Sequence, residues 1–435
     1  MASIRKSRSG LRKLIGSAEL DVVLQGISTA CGLIEDPALR EIIDELLQGT
    51  HVGSGGEVVL GAELKKRVKG DFRELVALRV LLARHPDAPI TAFRAPHRLP
   101  SRMAKGQMIP ARPNPWCAAL QNLDAFRGLT SLSSLYLHGC DNLDDLSGVG
   151  GAPLRRLSLQ RPPGSPPGLR GLSALTSLTS LSLGCHQLRT VPGLAALVNL
   201  KEATLSCERL ESLANLPAAP ALRTLTLQGC KALPDLQGLG VLSGLVNLYA
   251  ARCAGLVRAQ GLSGLPALQH VNLSDCERLK TLADLRDLPA LHTLLLQGCK
   301  ALRDLDGVQT LTGLRSLSLI GCPAPLDPLA AVHSLQSIRL NQSTRDLTPL
   351  AALPALHTIE LANFHYPDVP SALDVETLQP LTALPSLRKI VLSGAYWTSR
   401  QGLANGRRVA VREQTRASEV RALFQQRDTV EIVAK

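Results

Sequence analysis

Residues 222–230 read LRTLTLQGC, residues 291–299 read LHTLLLQGC and residues 314–322 read LRSLSLIGC. The same nine-residue phrase returns with changes as LSSLYLHGC at 132–140, LVNLYAARC at 245–253 and LQHVNLSDC at 268–276. Cys207, Cys230, Cys253, Cys276, Cys299 and Cys322 stand 23 residues apart throughout. Cys185 precedes Cys207 by 22, and Cys140 precedes Cys185 by 45, about two periods. Eight of ten cysteines thus share one phase, so the 435 residues, 85 of them Leu and only 11 aromatic, form one tandem array. Length alone would have suggested three separate domains.

Within a unit, LxxLxL alternates as a short strand does, with its leucines on one side. After the cysteine, apolar residues recur every third position: Leu302, Leu305, Val308, Leu311 and Leu314 follow Cys299. That period suits a 3₁₀-like or extended return segment. One unit cannot close a core. Stacked units can, because each strand pairs with the next at ~4.8 Å and the leucines join into internal ladders.

These residues resemble the leucine-rich repeat superfamily, in its short 22 to 23 residue bacterial, internalin-like form, with Cys in place of the usual Asn at the turn, as in many plant immune-receptor repeats. The resemblance covers about 120–397, some twelve coils. It implies an α/β solenoid, a horseshoe or arc with a parallel sheet on its concave side, whose usual task is to bind another macromolecule. The second coil departs from the pattern with a Pro/Gly-rich loop at 161–168, and Asn341 to Ser343 and Phe364 stand where later coils would carry Cys.

The flanks read differently. DPALREIIDELLQG at 36–49 has an Asp-Pro start, an apolar face of Leu39, Ile42, Ile43, Leu46 and Leu47, and Gly49 as a stop. AELKKRVKGDFRELVALRVLLARHP reads as a helix broken at Gly70. The division expected is a basic tail plus small helical domain at 1–105, a linker at 106–118, the array at 119–397 and a short β-α-β cap at 398–435. The helical domain would also shield the first coil. His365, Tyr366, Pro367, Tyr396 and Trp397 gather near the last coils, where plugging the core is preferred over binding.

The net charge of +12 sits mainly at the ends, with +6 in 1–116, +2 in 117–397 and +4 in 398–435. RKSRSGLRK and the C-terminal arginines could meet nucleic acid, but the array lacks stacking aromatics, so that partner is disfavoured. No run of 18 apolar residues exists to span a membrane. The first 18 residues are basic without the apolar core of a secretory signal and match a transit peptide only faintly. Arg-rich, Ala-rich, Lys-poor usage points to a GC-rich bacterial gene.

The chain carries no CxxC, HExxH, GxSxG or GxxxxGK[ST] motif, and no cofactor, metal or catalytic residue is expected. The repeat cysteines Cys140, Cys185, Cys207, Cys230, Cys253, Cys276, Cys299 and Cys322 fit a buried structural column in a reducing cytosol, since side chains in register point the same way and cannot converge into disulfides. His270 and Asp275 beside the cysteines resemble a catalytic cluster, but the repeat separates an outward His270 from inward thiols.

Outward positions on the strands are mostly Ser and Thr, which suit an ordinary strand surface. The exceptions cluster: Tyr249, Arg252, His270, Asn272, Asp275 and Leu295 lie on three successive coils, a mixture typical of interface centres. Tyr136 with His138, and Arg339 with Asn341, are weaker candidates. Arg155, Lys201, Arg223, Arg315 and Arg388, with His292 and His357, form a flanking basic stripe that is usually a solvated edge. The expectation is a non-enzymatic, cytoplasmic, monomeric scaffold for a protein partner. The alternative is a bacterial effector or sensor, translocated into a host cell, whose N-terminal segment carries the activity.

Overall fold

The computed structural model describes residues 37–54, 57–68, 73–84, 90–95, 98–99, 102–104, 107–109, 112–113, 120–161, 169–190, 194–214, 216, 219–341, 344, 346–362, 375–393, 403–404, 407–408, 420–425 and 430–434. The chain separates into two compact units, 1–207 and 208–435.

In the first unit, helices at Pro37–Leu47, Ala62–Arg67 and Arg73–Arg84 precede the repeats. Ile43, Leu46 and Leu47 are buried, as the apolar face requires, and Gly49 ends its helix with a positive φ of 73°. The break expected at Gly70 falls between two helices, and residues 69–72 lie outside the described ones. Short hairpins pair β1 (His51–Val52) with β2 (Val58–Val59). Next comes β3 (Ala92–Ala95), a strand within a stretch read from sequence as helical. Two more antiparallel pairs follow, β4 (Arg98–Leu99) with β7 (Arg112–Pro113) and β5 (Arg102–Ala104) with β6 (Gln107–Ile109). β6 and β7 fall in the stretch read as a linker at 106–118, and β4 and β5 lie just before it.

The repeat strands of this unit are β8 (Ser134–His138), β9 (Arg156–Arg161), β10 (Ser180–Cys185) and β11 (Glu202–Leu205), each parallel to the next. β3 pairs in parallel with β8, matching Phe93 to Leu135. Phe93 meets Phe126 of the first coil edge to face, with ring centroids 5.0 Å apart, and Arg79 donates to the Arg127 carbonyl at 2.9 Å. The segment before the repeats therefore covers the first coil.

In the second unit the parallel ladder runs through β12 (Thr224–Leu227), β13 (Asn247–Tyr249), β14 (His270–Asn272), β15 (Thr293–Leu295), β16 (Ser316–Ser318), β17 (Ser337–Asn341), β18 (Thr358–Ala362) and β19 (Lys389–Ser393). A hairpin of β20 (Leu403–Ala404) and β21 (Arg407–Arg408) follows, and β22 (Glu431–Ala434) pairs in parallel with β19. The returns contain 3₁₀ turns such as Leu239–Val241, Val308–Thr310 and Thr348–Ala352, as the threefold spacing predicts.

Inward residues of the strands form unbroken ladders. Leu225, Leu248, Val271, Leu294, Leu317, Ile338, Ile359 and Ile390 are at most 1% exposed. Each such side chain contributes roughly 1.5–3 kcal/mol by leaving water. The thiols form a third column. Cys253, Cys276, Cys299 and Cys322 donate to the carbonyls of Leu227, Ala250, Leu273 and Leu296 at 3.2, 3.1, 3.2 and 2.8 Å. Each sulfur thus bonds to the preceding coil. Seven of the eight repeat cysteines are buried, Cys322 is half-buried, and none of the eight is joined in a disulfide among the described residues.

A hydrogen bond from Cys230 favours a Cys253 thiolate, but the one with Cys276, together with burial, outweighs it and pushes that thiol up to about 12. Its hydrogen bond with Cys322, and burial, push Cys299 upward as well, while the same bond holds Cys322 below the ordinary thiol value. The loop at 162–168, residues 363–374 with His365, Tyr366, Pro367 and Phe364, and Tyr396 and Trp397 lie outside the described residues.

Candidate interaction face

The parallel register sets the outward residues into straight columns. Asn247, His270 and Thr293 stand side by side, as do Tyr249, Asn272, Leu295, Ser318, Arg339 and Glu360. The cluster expected from sequence is therefore brought together on β13, β14 and β15 and the turns that follow them.

Its members differ in what they present. Tyr249 is 38% exposed, one of three large hydrophobic residues exposed among the described residues. Leu295 is half-buried. Asn272 spends its side-chain oxygen on the Ser274 amide at 2.9 Å, which holds the turn after β14. His270 stands outward beside the inward Val271, but it is half-buried and its Nδ1 is enclosed without a hydrogen-bond partner among the described residues. The Ser318 hydroxyl, farther along the neighbouring column, is likewise buried and unpaired among the described residues.

The turn before each cysteine adds a feature that the residue types alone did not reveal. Gly139, Gly229, Gly298 and Gly321 occupy it with φ of 75°, 66°, 77° and 76°. This left-handed backbone suits glycine, which has no Cβ to collide with the carbonyl. On two successive coils the same position carries Arg252 (φ 60°) and Asp275 (φ 59°). A non-glycine residue there costs on the order of 1–3 kcal/mol, and such residues concentrate at functional sites. Asp275 tolerates the conformation better than Arg252. Arg252 Nε lies 3.7 Å from Asp275 Oδ2, with side chains 71% and 50% exposed. Asp275 also leans over the next turn, since a Cβ on Gly298 would come within 2.4 Å of its Oδ1. The signal was visible as RC and DC where five other coils read GC.

The weaker candidates are already engaged. Arg339 grips Glu360, its in-register neighbour, through two hydrogen bonds of 2.9 and 3.0 Å. In the first unit, Tyr136 lies beneath Arg94 of β3, whose guanidinium carbon is 4.7 Å from the ring centroid. His138 Nε2 meets Ser158 Oγ at 3.0 Å. In the flanking basic stripe, Arg223 donates to the carbonyls of Pro220 and Gly244 at 2.7 and 3.2 Å, a structural role.

Elsewhere in the first unit, a cleft is lined by Gln121, Asn122, Asn142, Asp144, Asp145 and Arg170. Asp145 Oδ1 accepts the Ser147 amide at 2.8 Å, and that bond, with Arg170 nearby, holds its carboxyl below the usual range. The carboxylate is committed to a turn. Among the described residues no group of three or more His, Cys, Asp or Glu could hold a metal ion, and no helix is long and apolar enough to cross a membrane.

The buried ladders and the parallel register define the chain's architecture as a leucine-rich repeat solenoid. No family model and no curated protein matches it. Among solved structures it is similar to an internalin C2 from Listeria monocytogenes, at 20% identity over 47% of this chain and 76% of that one, with a TM-score of 0.30. It is similar to an internalin, inlF, from the same organism at 16% identity, covering 66% of this chain and 85% of that one, with a TM-score of 0.37. A third is the functional domain of InlJ from Listeria monocytogenes, described as including a cysteine ladder, at 16% identity, with coverages of 60% and 78% and a TM-score of 0.27.

Proposed function

We propose that this chain is a non-enzymatic scaffold that binds a protein partner on the outward, concave side of its strands, with the contact centred on Tyr249, Arg252, Asp275 and Leu295. One observation carries the reading: an exposed aromatic ring and two non-glycine residues in left-handed backbone fall on adjacent coils, in a surface with many Ser and Thr residues. A preformed rigid face binds without the entropy cost of ordering a loop. Asn272 supports the turn. Arg339 and Tyr136, spent on Glu360 and Arg94, lie outside the centre.

The short repeat with Cys at its turn is the internalin-like form, and its column of thiols, none of them in a disulfide among the described residues, suits a reducing, cytoplasmic setting in a bacterial cell. The chain acts as a monomer. An activity housed in residues 1–105 is disfavoured, because β3 is spent as a strand on β8. The test is affinity capture with the intact chain against Tyr249→Ala/Arg252→Ala, with the captured protein identified and its Kd measured on both. A loss of at least ~10-fold is expected with an unchanged circular dichroism spectrum, which corresponds to about 1.4 kcal/mol. Undiminished binding by the double variant rejects the patch.

A further inference from the structure

We infer that Arg252 is the specificity-determining residue of this face and that it receives an aspartate or glutamate side chain of the partner; this rests on the proposed binding role of the face.

The argument comes from how the cations of the second unit are employed. Arg339 is held by both oxygens of Glu360, Lys389 by Glu431 at 2.8 Å, and Arg258 by both oxygens of Asp284. Lys231 and Lys300 pair with Glu208 and Glu277 at 2.9 and 2.7 Å. Arg278, Lys280, Arg303, Arg315 and Arg388 have no such pair among the described residues, and neither does Arg252, but of these Arg252 alone stands in left-handed backbone near an exposed ring. Its contact with Asp275, at 3.7 Å through Nε, is too long for a hydrogen bond, and its terminal amino groups donate to nothing among the described residues. A guanidinium offers a planar fork that matches a carboxylate with two parallel hydrogen bonds. Here the fork stands open, three residues along the chain from the exposed Tyr249 ring.

The chain places it there against the backbone's preference. Glycine serves the same turn in Gly229 and Gly298, on the coils to either side of the Arg252 and Asp275 pair. An arginine in left-handed backbone at that position points to a role for its side chain. Asp275 narrows the ligand further. Its negative charge leaves the pair nearly neutral, which disfavours a doubly charged phosphate and suits a singly charged carboxylate. The Tyr249 ring supplies an apolar neighbour, so the recognised segment carries an acidic residue beside an aliphatic or aromatic one.

The test is selection of a random 12-residue peptide library against the intact chain, followed by titration of the synthetic winners. Enriched peptides should share an Asp or Glu next to an apolar residue. Their affinity should fall at least tenfold in Arg252→Gly, a variant carrying the residue other coils use there, and in Tyr249→Ala. Changing the peptide's acid to Lys should restore affinity for Arg252→Glu, and replacing it by phosphoserine should weaken binding to the wild type. Winners that need Tyr249 but carry no acid, that bind Arg252→Gly undiminished, or that gain affinity with phosphoserine overturn the inference and leave the binding face standing. Winners indifferent to both residues, or no winners, overturn both.

Discussion

At residue 252 the backbone and the side chain want different things. The turn asks for a left-handed residue, as Gly229 and Gly298 supply, and arginine resists it. Arg252→Gly should therefore stabilise the fold by about 0.5–1 kcal/mol, the relief of strain less the entropy that glycine adds to the unfolded chain. Urea denaturation of the two proteins measures this. A destabilised variant would mean that the arginine is held by packing and not by function. The individual face residues were legible in the sequence because Tyr and Arg stand out among Ser and Thr. Their employment was not. Arg339 looked free until the register set Glu360 beside it, and Tyr136 looked exposed because Arg94 comes from a strand 42 residues earlier with no repeat signature.

The strand and its cysteine form the element that repeats, and here the sequence was most readable, since a spacing of 22 or 23 leaves each inward position one possible neighbour. Leu294 sits at the centre of β15, fully buried between Val271 and Leu317. Leu294→Asp should cost more than ~3 kcal/mol, because the ladder offers a charge no partner. A mild effect in chemical denaturation would contradict the register.

The thiols make a separate prediction. Cys253, pushed up to about 12, binds its proton more tightly in the folded chain than in the unfolded one, where a thiol titrates near roughly 8.5. Its stabilising contribution is whole below that lower value and is lost as pH rises from about 9 towards 12. Mass-spectrometric footprinting with iodoacetamide at pH 8 should therefore label Cys322, which is half-buried and shifted downward, well before Cys253 or Cys299. Equal labelling of the three would reject the column as described. Each of these four sulfurs finds a carbonyl on the coil before it.

At the scale of the molecule, the open problem of any stacked sheet is its last strand, whose unpaired amides invite a foreign strand. β22 answers it on β19, with Ile432 buried and Glu431 bound to Lys389, and β3 does the same on β8. Ending the chain at residue 430 should leave β19 bare and produce concentration-dependent association in sedimentation velocity. A monodisperse product would show that β22 is dispensable. The C-terminal strand was expected from the alternation in TVEIVAK, whereas TAFRA at 91–95 is too short and too isolated from the 23-residue beat to announce itself.

The register has a consequence for change over time. Because inward and outward residues alternate along each strand, and every outward residue has fixed lateral neighbours, a letter on the exposed side can be rewritten without disturbing the aliphatic interior. Such a surface can drift towards a new target one position at a time while the scaffold beneath it stays the same.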